Sequence, residues 1–205
     1  MSLVFIRVPK TGTTSIISSI GQQDIQDNPC LSPQHIPASE FINHDHSHKY
    51  FSMARDPLQT ACSFYYFIKN INNANRIKLD PNNNFNNMRV QADQVLSSES
   101  LDEYLLNSDP NGFLGIFWDG LPPEDFMFIG DVNNMSDSVK VLSILTGINF
   151  KEYWARKNPA RPDTLQPYWV EDSVRRAFEA KNTTEYDLYD RAMTKFAEVR
   201  NVTLG

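Results

Sequence analysis

The chain has 205 residues, 40% hydrophobic and 21% charged, with a formal net charge of −6. That supplies one ordinary globular domain with a sizeable core, residues 1–205, and no run of about 18 apolar residues is present to span a membrane. The negative balance argues against a general nucleic-acid binder and against a long polyanion as partner.

The two cysteines, Cys30 and Cys62, are too few and too far apart for a disulfide framework or a zinc site, and they read as reduced thiols. The first residues lack the charged-then-apolar pattern of a secretory leader, so the expectation is a cytoplasmic chain.

In chain order, Leu3 to Val8 predicts a buried strand of β-branched and apolar residues. Thr13 to Ile20 predicts a helix with Ile16, Ile17 and Ile20 on one face. Residues 21–48 are polar and proline-bearing and predict loop with one short helix. Tyr50 to Ala54 predicts a second strand. The helix "LQTACSFYYFIK" follows, opened by Pro57 in the position where a missing N–H costs nothing. Residues 70–87, dense in asparagine, predict a long surface excursion.

Ser100 and Glu103 form a capping box for "LDEYLL". A third strand is predicted over 125–131, and a helix from Ser136 to Thr146 stopped by Gly147. A last helix, capped by Thr184 and Asp187, carries Tyr189, Ala192, Met193, Phe196 and Val199 at helical spacing. Strands separated by helices predict an α/β fold, a central parallel sheet with helices on both faces.

"VFIRVPKTGTTSIISSI", Val4 to Ile20, concentrates chemistry at one strand end. A strand feeding a helix through a glycine turn aims backbone N–H groups at one point, the positive end of the helix dipole. Gly12 lets backbone approach closely, Thr13, Thr14 and Ser15 add hydroxyl donors, and Lys10 adds a full charge: the makings of a phosphate cradle. The lysine precedes the glycine by two residues, so the G-x-x-x-x-G-K-[ST] loop of a P-loop nucleotide kinase is not matched. "FSMARDPLQTACSFYYF" repeats the strand-turn-helix pattern, with Arg55 at the strand end, suited to forking onto a phosphate, and Ser63 eight residues on.

Together, "PKTGTTS" resembles the 5′-phosphosulfate loop of sulfotransferases. "ARDP" with Ser63 and "FYYF" resembles their 3′-phosphate motif, especially in the carbohydrate (heparan-sulfate-type) branch. "FIGDVNNMSDSVKVLSILTG" and "EYDLYDRAMTKF" are similar to later segments of the same enzymes. Gln59 and Asn133 depart from residues common there, an arginine and a glutamate respectively.

The resemblance implies a three-layer, P-loop NTPase-like sulfotransferase fold. It also implies transfer of a sulfuryl group from 3′-phosphoadenosine 5′-phosphosulfate (PAPS) to a hydroxyl, leaving 3′-phosphoadenosine 5′-phosphate (PAP), without a metal. By position, Lys10 would hold the 5′-phosphate and stabilise the bridging oxygen. The backbone of Thr11, Gly12, Thr13 and Thr14 and the hydroxyls of Thr13, Thr14 and Ser15 would hold the same group. Arg55 and Ser63 would hold the 3′-phosphate, and Lys157 or Arg161 would reach it or the adenine.

His35, in a segment resembling the family's histidine loop, is the candidate general base, with His46 as the alternate. His44, His46 and His48 alternate, as metal ligands on an extended segment would, but no fourth ligand is indicated and a polar loop accounts for them. The acceptor would be a carbohydrate or small molecule. A sulfotransferase-fold binding protein without transfer activity, and a P-loop nucleotide kinase, are the rival readings.

Overall fold

The computed structural model describes residues 3–19, 35–42, 48–70, 86–107, 112–151 and 168–205. They fall into two compact units. The first lies within Met1–Arg55, Phe113–Ala155 and Thr184–Gly205, and the second within Asp56–Gly112 and Arg156–Thr183.

The first unit is α/β. Strands β1 (Leu3–Ile6), β2 (Lys49–Ala54) and β3 (Phe128–Asp131) form a parallel sheet in the order β1-β2-β3. Its described helices are α1 (Thr13–Ser19), α2 (Ser39–Ile42), α6 (Phe113–Phe117), α7 (Met135–Thr146) and α9 (Thr183–Leu204). The second unit is helical among its described residues: α3 (Pro57–Lys69), α4 (Asn86–Ser97), α5 (Leu101–Asn107) and α8 (Asp172–Lys181).

Register explains the core of the first unit. Phe5 pairs with Phe51 and Phe51 with Phe128, so three phenylalanines line up across one face of the sheet. Phe5 and Phe51 stack at 4.6 Å, and Phe150 meets Phe51 edge-on at 6.3 Å. Ile16 of α1, Val139 and Leu142 of α7 and Phe196 of α9 close over this row. On the alternate face, Ser52 donates to the Ile6 carbonyl and accepts from the Trp118 indole N–H, so its buried hydroxyl is satisfied twice. Strands buried on both faces are what near-continuous apolar runs such as "LVFI" encode.

In the second unit the expected capping box forms in half, with its return bond shifted by one residue. The Glu103 N–H donates to Ser100 Oγ, and the Glu103 carboxylate accepts from the N–H of Glu99. Asp56 caps α3 by accepting from the Gln59 N–H at 2.8 Å, ahead of Pro57 in its first turn. Lys69 closes the other end, donating to the Ser98 carbonyl and lying over the Tyr65 ring.

Several boundaries differ from expectation. β1 ends at Ile6, two residues early, because Thr11 folds the chain back onto Val8. Helix α9 begins at Thr183, one residue before the expected cap. Buried Asn182 already ends α8, and Asp187 pairs with Arg191 at 3.2 Å inside the helix. Asn86 and Asn87, expected in a surface excursion, open α4, while 71–85 lie outside the described residues. Gly147 stops α7 in the left-handed conformation, φ 73°, as expected. No described helix is long and apolar enough to cross a membrane.

Gly130 in β3 is demanded by packing: a Cβ there would lie 2.5 Å from Met53 Sδ and 3.0 Å from Ser138 Cβ. Gly130→Ala therefore destabilises the protein by about 1–3 kcal/mol through overpacking. Urea unfolding measures it, and a change within error of zero contradicts this packing.

Candidate functional site

The ends of β1 and β2 lie side by side, because parallel neighbours emit their following loops at the same sheet edge. Ligands of open α/β sheets bind at that carboxyl edge. After β1 the chain makes a tight turn. Lys10 adopts φ 65° and Gly12 φ 74°. A left-handed lysine costs roughly 1–3 kcal/mol and persists only where its surroundings over-determine it. Here the fully buried Thr11 hydroxyl donates to the Val8 carbonyl at 2.8 Å, closing the turn. Gly12 sits where a Cβ would come within 2.9 Å of Met135 Cε. The Ile16 N–H then donates to the Gly12 carbonyl and α1 begins.

Arg55 leaves the end of β2 and its guanidinium donates to the Lys10 carbonyl at 3.4 Å, a contact longer than an ordinary N–H···O bond and correspondingly weak. The two motifs read from the sequence thus meet at these residues. Burial, and then the Arg55 charge, push the Lys10 ammonium down to about 8. At neutral pH it is still mostly charged. Two cations held together and partly out of water repel each other, and an anion between them would reverse that sign.

His35 joins the same end of the sheet. Its Nδ1 lies 2.6 Å from the Arg7 carbonyl, so Nδ1–H donates and the lone pair sits on Nε2. The ring meets Phe117 edge-on, with centroids 6.1 Å apart. Burial pushes the imidazole down to about 4; the Arg7 carbonyl opposes that shift, and the Arg7 and Lys10 charges add to it. At neutral pH the ring is neutral, and the Arg7 and Lys10 charges act on it.

The hydroxyl residues divide. Thr13 and Ser15 are buried in α1 and Thr14 is exposed. Ser63 is buried on α3, in the second unit. Lys157, Arg161, His44 and His46 lie outside the described residues. His48 does not join the Lys10 turn; its ring meets Tyr50 edge-on.

Some contributors were not read from the sequence. Arg7, a lone charge in an apolar run, supplies His35 with both a carbonyl acceptor and a repelling charge. Gln59, where the resemblance led one to expect arginine, clamps Tyr168. It donates to the Tyr168 carbonyl at 3.2 Å and accepts from the Tyr168 N–H at 2.9 Å, while Tyr66 stacks on the Tyr168 ring. Asn133 donates its N–H to Asp131, which caps the turn ahead of α7. Both departures thus have structural work to do. No family model and no curated protein matches the chain.

The His35 environment has a pH signature. Below pH 6.5 the unfolded chain gains a proton on His35 that the folded chain does not take up until about 4. Stability therefore falls as pH drops through that window, by about 2 kcal/mol once the ring's partial exposure is discounted. Urea titrations at pH 7 and pH 4.5 of the parent and His35→Asn measure it. An identical pH dependence in the two proteins contradicts the assignment.

Proposed function

We propose that the chain is a PAPS-dependent sulfotransferase, a single domain of the three-layer, P-loop-like sulfotransferase fold, acting on a hydroxyl of a carbohydrate or small molecule. The observation that carries this reading is the left-handed Lys10 turn at the end of β1 lying against Arg55 at the end of β2. A donor with phosphates at both ends of one adenosine matches two cationic strand ends better than it matches one.

In this reading Lys10 holds the 5′-phosphate and neutralises the bridging oxygen as charge builds there. Arg55 holds the 3′-phosphate, which ATP lacks. Ser63, Lys157 and Arg161 keep the donor-binding roles that the resemblance implies. His35 Nε2 accepts the acceptor's proton as the new sulfur–oxygen bond forms. The bond from sulfur to the bridging oxygen breaks, and its electron pair stays on the 5′-phosphate of PAP. In-line transfer of this kind depends on positioning and fixed positive charge, which is what this strand edge supplies.

A second reading, a donor-binding protein of the same fold without transfer, is favoured by one observation: an imidazole held near 4 is a weak base. Turnover of labelled donor separates the two.

Calorimetry with PAP against ATP tests the donor. The expected result is binding of PAP at least about tenfold tighter, because a charge-assisted contact to the extra phosphate is worth over 1 kcal/mol. Preference for ATP refutes the reading. Lys10→Ala is expected to lower turnover by about 100-fold or more, as loss of a charge-stabilising donor does. Initial rates with labelled PAPS measure it, and near-parental turnover contradicts the role given to Lys10.

A further inference from the structure

Glu185 is a buried carboxylate whose described hydrogen bonds both come from backbone N–H groups. It sits in the first turn of α9, 4% exposed, and both oxygens are used. Oε2 accepts from the Leu114 N–H at 2.9 Å and Oε1 from the Gly115 N–H at 2.6 Å. These are first-turn amides of α6, groups that a five-residue helix cannot satisfy internally. Gly115 is fitted to the arrangement: a Cβ there would stand 3.0 Å from Glu185 Oε1. Burial pushes the Glu185 carboxyl up and the two amide bonds pull it back toward the ionised form, so the pair of bonds both tethers the side chain and favours its charge.

The other end of α6 is where His35 is held. The Phe117 carbonyl accepts from the Ala38 N–H at 2.9 Å, and the Phe117 ring meets the His35 ring. The turn after α6 runs beside the residues that follow Ala38, since a Cβ at Gly120 would come into ordinary contact with Ser39 and Ile42. Among the described contacts, Phe117 holds residues 35–38 through its carbonyl and its ring, and the Arg7 carbonyl holds the imidazole. Phe113, Leu114 and Phe117 are buried and hold the body of this short helix by packing, while its first amides depend on Glu185.

We infer that Glu185 is a positioning residue for His35: its carboxylate fixes the start of α6, α6 fixes Phe117, and Phe117 holds the imidazole against the Arg7 carbonyl. The significance for catalysis rests on the sulfotransferase reading. The geometric claim stands without it. Loosening α6 lets the ring swing away from Arg7 and Lys10, the charged groups facing it, and toward water. Glu185→Gln keeps the size but loses the charge and turns one acceptor into a donor facing an N–H.

Histidine-labelled NMR titrations of the free protein test this, with His35 assigned by His35→Asn and Phe117→Leu as a second route to the same loss. In both Glu185→Gln and Phe117→Leu the His35 midpoint is expected to move from about 4 toward the ordinary value near 6.5. With labelled donor, kcat is expected to fall about tenfold, part of what a general base contributes, with the KM for donor unchanged within about twofold. A purely structural role lowers the melting temperature and leaves the His35 titration as in the parent, and that outcome in folded variants overturns the inference. Should Glu185→Gln not fold, Phe117→Leu and the milder Gly115→Ala carry the same readout, and an unmoved titration in both overturns it equally. A failure to bind PAP in the parent would refute the donor reading without touching the titration result.

Discussion

The bond between the Arg55 guanidinium and the Lys10 carbonyl joins residues 45 apart in sequence, and it forms only because two parallel strands end together. Ile6 pairs with Ser52, and β2 runs on through Ala54 to pair with Asp131. The turn after β1 must therefore fold back where Arg55 emerges. The left-handed Lys10 is the local form of that fold-back, and Thr11, bonded to Val8, locks it. Without that turn, neither the cationic pair nor the lowered Lys10 ammonium would exist, since both follow from placing two charges in one partly desolvated corner.

What holds the corner in place is ordinary packing some distance away. The row of Phe5, Phe51 and Phe128 fixes the strands in register, and Ser52 ties Ile6 to Trp118 on the opposite face. Met135 fills the space that Gly12 leaves, so the start of α7 braces the turn from behind. Strain at Lys10 and repulsion between cations are thus offset by a core that would cost more to disturb. His35 is held in the same way, by a backbone carbonyl and an aromatic edge. Burial, with the Arg7 and Lys10 charges adding to it, keeps the ring neutral.

Sequence patterning revealed the elements whose signal is local. The apolar runs at Leu3 and Tyr50, Pro57 after Asp56, the Ser100–Glu103 box and Gly147 each specify their structure within a few residues. Helix α4 was hidden because the buried apolar positions among its described residues are few, Ala92 and Val95, and its start is asparagine-rich. In α8, Val174 and Phe178 stand four apart, a signal present but sparse. Helix α6 had no local signature, since the carboxylate that caps it lies 71 residues on. Lys10 and Arg55 were legible at the site because each ends a strand before a turn. Arg7 was not, because it sits inside an apolar run, and the hydroxyls of Thr13 and Ser15 read as donors although both residues are buried. The left-handed Lys10 backbone was not legible either, because side-chain pattern carries no information on φ at a non-glycine residue.

The most direct measurement is a crystal structure of the protein soaked with PAP. The expected density has the 5′-phosphate within hydrogen-bonding distance of the Lys10 ammonium and the turn amides, and the 3′-phosphate against the Arg55 guanidinium. Nucleotide bound at another face of the sheet, or bound here with both phosphates turned away from Lys10 and Arg55, would contradict the claim that these two strand ends grip one donor.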